Sequence, residues 1–141
     1  MSERIFELRL TSSYTAPDNT PTKLTVEHYA DGQWSDFDLG YHSPGFLIFV
    51  YALFSCQHTY LRLNCAEKGI KLATTHGQIR VVTDENWDLT EMTVRFDVKT
   101  IEGRASSDDI THIAQRMEQC PASRNIKHPQ KLSTKLDFTR V

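Results

Sequence analysis

The chain has 141 residues, a length that suits one domain spanning residues 1–141 and that can bury a core without metal or disulfide staples. Sixteen Lys and Arg against 18 Asp and Glu leave a formal charge of −2, a near balance that gives no support to a nucleic-acid binder, which should show clustered basic charge. Apolar residues at 39% and charged residues at 24% mark a globular chain rather than a disordered one.

In chain order, residues 1–15 alternate charged and apolar side chains and lack the apolar core of a signal peptide. Residues 4–10 read as a strand with Phe6, Leu8 and Leu10 on one face. Pro, Asp and Asn make 15–22 a loop. A second strand, 23–29, carries Leu24, Val26 and His28 on one side. Asp31-Gly32 then signals a hairpin turn, because Gly takes the positive φ such turns need, and 33–39 returns as a third strand.

Ser43-Pro44 predicts a helix start, with a hydroxyl cap and proline at the first helical position. That helix runs to Lys68, with Gly69 as its left-handed cap. Its first half is apolar nearly all round and is expected to be buried on most sides. The nine-residue apolar run Phe46 to Phe54 is about half of the roughly 20 residues that cross a bilayer, so no membrane is expected. Strands follow at 70–83, with Gly77 as a bulge candidate, and at 87–100, where Met92, Val94, Phe96 and Val98 alternate. Ser106, with Asp109 three residues on, caps a helix whose Ile110, Ile113, Ala114 and Met117 form one stripe. A short helix restarts after Cys120-Pro121 and runs to Lys127, and 131–140 closes the chain as a strand. The order β-β-β-α-β-β-α-α-β lacks regular βαβ alternation, so the class is α+β.

Three cysteines are an odd number and no secreted disulfide framework, which points to a reducing cytoplasm. A helical cysteine is ordinarily a small buried hydrophobe, and Cys65 fits that reading well. Cys56 and Cys65 are nine residues apart, which puts them half a turn and roughly 13.5 Å apart on a helix, too far to bridge. Cys120 precedes Pro121 and is placed as an N-cap, where unpaired amides lower a thiol pKa; simple packing under the helix junction is the equal alternative. Six scattered histidines show no zinc-type spacing, and no phosphate loop is present, so neither metal nor cofactor is expected.

Ser43-Pro44, the apolar stretch Leu47 to Leu53, Phe54-Ser55-Cys56 and the helix end Ala66-Glu67-Lys68-Gly69-Ile70 resemble the central helix of the OsmC/Ohr family. Cys120-Pro121-Ala122-Ser123-Arg124-Asn125-Ile126, 64 positions beyond Cys56, resembles that family's second-cysteine motif. The resemblance implies an intertwined homodimer with a long buried central helix and a cysteine-based peroxidase acting on organic hydroperoxides. Cys56 would attack the peroxide, Cys120 would resolve the sulfenic acid as a disulfide, and a dithiol reductant would restore both. Two positions depart from the family. Leu47 stands where its peroxidases carry a glutamate, and residues 11–22 hold no arginine, leaving Lys23 as the nearest basic residue.

Those departures matter because only the thiolate attacks peroxide, and at a pKa near 8.5 roughly 3% is ionised at pH 7. Lowering that pKa to about 6 takes ~3.4 kcal/mol, more than one exposed charge supplies. His58 and Arg62 lie off the Cys56 face of the helix. The cation must then come from another segment or from the dimer mate, in the order Lys23, Arg124, Arg4, Arg9. A non-catalytic member binding an apolar or thiol-containing ligand at the dimer cleft is the alternative, and a structural dimer with inert thiols is the third reading.

Overall fold

The computed structural model describes residues 3–126 together with Ser133 and Lys135. The elements are β1 (Arg4–Thr15), β2 (Thr20–Ala30), β3 (Gln33–Asp36), α1 (Gly45–Glu67), β4 (Lys71–Thr83), β5 (Leu89–Glu102), α2 (Ser107–Glu118) and α3 (Pro121–Arg124). Among the described residues, five strands form one antiparallel sheet in the order β3-β2-β1-β4-β5. The α+β class is therefore observed. The closing strand expected at 131–140 lies outside the described residues.

Strand alternation decides which sheet face is inner. Along β1, Leu8, Leu10, Ser12 and Tyr14 are buried while their neighbours are not, so these residues face α1. The β1–β2 connection is tighter than the loop expected at 15–22, because Thr15 already pairs with Thr20. Asn19 holds the tip of that turn at φ 53° and is fully buried. Its amide donates to the Arg62 and Ile70 carbonyls (3.1 and 3.0 Å) and accepts from the Leu72 N–H (2.9 Å), which pins the β1–β2 turn to the end of α1 and the start of β4. Asp31 and Gly32 both have positive φ, 53° and 79°, as a tight hairpin between β2 and β3 requires.

Helix α1 begins differently from the expected cap. Pro44 occupies the N-cap and no side chain caps the first turn. Ser43 is instead spent on the preceding turn, where its hydroxyl accepts from the Gly40 N–H and donates to the Asp38 carbonyl. The C-terminus behaves as expected: Gly69 at φ 70° lets its own N–H reach the Ala66 carbonyl and the Ile70 N–H reach Cys65 (2.9 Å), a Schellman closure. Burial of α1 in one protomer is one-sided. Val50, Leu53, Phe54, Gln57, His58, Leu61, Asn64 and Cys65 face the sheet and α2, whereas Ile48, Phe49 and Leu63 remain exposed on the other side.

Gly77 is not a bulge. It pairs in register with Leu10 and Phe96, and the irregularities of β4 lie at its two ends. A Cβ here would stand 2.6 Å from the Phe96 ring and 3.2 Å from Phe54, so the glycine makes room for two stacked aromatics, 5.7 Å between centroids. Phe96 packs against both hydrophobic clusters, one around Leu8, Leu53 and Phe54 and the other around Tyr14, Leu61, Cys65 and Ile113. Helix α2 starts with a complete capping box between Ser106 and Asp109. Lys68 meets Asp109 at 3.5 Å and Arg116 donates to Asn64 at 3.2 Å, strapping α2 across the second half of α1.

Candidate functional site

The site is assembled by α1 and α3. Cys56 sits in the middle of α1 at the border of its buried face and is partly exposed. Cys120 is fully buried as the N-cap of α3, with Pro121 at the first helical position. The fold packs α3 on α1 and brings these two thiols, 64 positions apart, close enough for the Cys120 side chain to act on the Cys56 thiol. Burial pushes the Cys56 thiol above its ordinary value. The Ala122 backbone N–H, which Cys56 accepts, works against that rise, while the Cys120 side chain adds to it.

The second thiol is held by a short chain of hydrogen bonds. Cys120 Sγ donates to Ser123 Oγ at 3.1 Å and accepts from the Ser123 N–H at 3.4 Å. Ser123 Oγ also accepts from Nε2 of Gln57, at 3.0 Å. Gln57 is buried and neighbours Cys56 in sequence, so a single turn of α1 carries both the partly exposed thiol and the tether of α3. Sequence reasoning missed Gln57 and Ser123. The available signal was an amide on the inward stripe of an otherwise apolar helix, where an unpaired polar group is costly and a partner is expected.

The expected cations do not reach Cys56 within one protomer. Lys23 pairs with Ser13, which alternates with buried Ser12 and Tyr14, so Lys23 belongs to the outer sheet face. Arg124 ends α3 and is exposed. Arg4 stacks over Trp87 at 4.3 Å and donates to the Glu85 carbonyl. Arg9 pairs with Glu27 at 2.8 Å and lies over Trp34. Among the described residues, no charged side chain contributes to the shift of Cys56. Single-chain topology puts Lys23 and Arg9 on the far sheet face, ties Arg4 to the β4–β5 turn, and leaves Arg124 exposed at the end of α3.

Two other titratable groups of α1, His58 and Cys65, are turned inward. His58 Nε2 is 2.5 Å from the Tyr14 hydroxyl, and its ring stacks on Phe96. Burial, reinforced by Arg62, holds its pKa down at about 4, so it is neutral near pH 7 and faces away from Cys56. Cys65 lies in the second apolar cluster, and burial alone pushes its thiol up to about 11. Among the described residues, no group of three or more His, Cys, Asp or Glu is arranged to hold a metal, and no helix is long and apolar enough to cross a membrane.

Fold and site together define an α+β protein whose long central helix presents one thiol to a second thiol on a following short helix. The chain belongs to the OsmC-like protein family, whose model matches residues 43–135. Its fold is similar to that of an OsmC-like hydroperoxide resistance protein from Jannaschia sp. CCS1, with TM-score 0.63 and 11% identity over 95% of this chain and 94% of that one. An OsmC-like protein from Mycoplasma pneumoniae matches with TM-score 0.49 and 13% identity over 82% of this chain and 84% of that one. No curated protein matches the sequence.

Proposed function

We propose that this protein is a cytoplasmic thiol peroxidase that reduces organic hydroperoxides through Cys56 and Cys120, as part of an antioxidant stress response. The observation that supports it is the meeting of the two thiols, one partly exposed and the other fully buried behind it. In this reading the Cys56 thiolate attacks the terminal peroxide oxygen and the O–O bond breaks. The alcohol leaves with a proton and Cys56 becomes a sulfenic acid. The Cys120 thiolate then attacks that sulfur, and water leaves as the disulfide forms. A small dithiol, oxidised to its own disulfide, returns both cysteines to thiols.

Activation of Cys56 belongs, in this reading, to a homodimer. The protomer leaves Ile48, Phe49 and Leu63 exposed on the outer side of α1, an apolar stripe suited to a second copy. A cation from that copy would offset the burial that keeps Cys56 protonated, with Lys23 and Arg124 as the candidates. The test is consumption of cumene hydroperoxide by the reduced protein with dihydrolipoamide present, together with mass spectrometry of a 56–120 disulfide. Absence of peroxide consumption refutes the peroxidase.

A non-catalytic reading, in which the cleft holds an apolar or thiol-containing ligand, is favoured by one observation: burial raises the Cys56 thiol, and among the described residues no charged side chain offsets it. The pH dependence of Cys56 alkylation separates the two. Half-maximal reactivity well below pH 7 supports the enzyme, and at or above about pH 8.5 it supports the binder.

A further inference from the structure

Gln57 has a place in this site that its chemistry alone does not announce. Glutamine contributes no nucleophile and no titratable proton. Yet it is buried on the sheet-facing stripe of α1, and its amide reaches out of that stripe to α3. Its donor ends on Ser123 Oγ, the same oxygen that accepts the Cys120 S–H. Ser123 also gives its backbone N–H to the Cys120 sulfur. A hydroxyl oxygen has two lone pairs, so accepting from both Gln57 and Cys120 uses its full capacity and fixes its orientation. Ala122, between Cys120 and Ser123, turns its own N–H to Cys56. The four-residue start of α3 is thereby registered on the turn of α1 that carries Cys56.

We infer that Gln57 is a positioning residue for the resolving step: through Ser123 it holds Cys120 poised against Cys56. This rests on the two-thiol reading above, and it concerns the second step, not the first. Once Cys56 bears a leaving group, Cys120 must abandon Ser123 Oγ and approach to a bond length of about 2.05 Å. An attacking group held alongside by the Gln57–Ser123 tether makes that step effectively unimolecular and fast, whereas an untethered α3 forfeits that gain.

The test makes the step visible without any peroxide. Reduced protein is mixed with one equivalent of Ellman's disulfide, and thionitrobenzoate release is followed by stopped flow. Cys56 is the accessible thiol of the pair, so it takes the label first and releases one thionitrobenzoate anion. Cys120 thiolate then attacks the Cys56 sulfur, the 56–120 disulfide forms, and the second thionitrobenzoate leaves with the electron pair. Gln57→Met keeps the volume and removes the donor. It should slow the second phase about tenfold relative to the first, the scale of one hydrogen bond. Ser123→Ala should do at least the same, Ser123→Thr should restore most of the rate, and the Gln57→Met/Ser123→Ala double variant should be no slower than Ser123→Ala. A second phase unchanged in both single variants, or multiplicative losses in the double variant, overturns the inference. If wild type consumes no hydroperoxide while the variants still slow the second phase, the peroxidase reading fails and the positioning role stands.

Discussion

One helix carries two cysteines in opposite circumstances, nine residues apart. Cys65 lies among Tyr14, Leu61, Ile70, Leu72 and Ile113, and burial is the sole cause that lifts its thiol to about 11. Cys56 is also lifted by burial, but the Ala122 N–H works against that rise, a second thiol acts on it, and it keeps partial access to solvent. The N-terminal dipole reaches neither thiol. What differs is the segment packed alongside. From α2, Ile113 and Met117 join the apolar cluster of Cys65, whereas the N-cap of α3 offers Cys56 a partner that can form a bond.

The largest expected effect breaks that contrast at its working end. Cys56→Ser should abolish hydroperoxide consumption in the coupled dithiol assay, while Cys65→Ala leaves the turnover number within about twofold; equal losses would erase the distinction between the two thiols. Next in size is a pH effect in the region that separates them. His58 has a folded-state pKa of about 4 against 6.5 for a free imidazole, so the unfolded chain takes up its proton first. That contribution to stability is full above about pH 6.5 and is lost as pH falls toward 4, amounting to about 3 kcal/mol. Urea titrations between pH 4 and 7 should show this slope, and His58→Gln should flatten it.

Smaller still is the cost of crowding the divide itself. Gly77→Ala drives a methyl group into the Phe96 ring, which packs against both clusters, and should destabilise by about 1–3 kcal/mol in chemical denaturation. The smallest effect sharpens the comparison without altering the fold. In native protein, iodoacetamide at pH 8 should label Cys56 and leave Cys65 unmodified, as peptide mass spectrometry would show.

Much of this molecule was legible in its sequence because the signals are local. Period-two alternation placed β1, β4 and β5, Asp31-Gly32 placed a hairpin, and Gly69 placed the end of α1, each a matter of neighbouring side chains or of one backbone angle. The cysteine motifs and their separation identified the family. Local rules failed where tertiary packing competed with them. Ser43 left the helix cap for a turn, and Gly77 serves two aromatic rings from distant segments rather than a bulge.

Sequence by itself determined the α+β class, the apolar central helix and the two thiols worth watching, since composition and short-range periodicity encode them directly. Only the tertiary structure decided that Gln57 and Ser123 tie α3 to α1, that His58 turns to Tyr14, and that Lys23 sits on the far face of the sheet within a protomer. These depend on which segments lie side by side, and contacts between residues dozens of positions apart are fixed by the packing of the whole core.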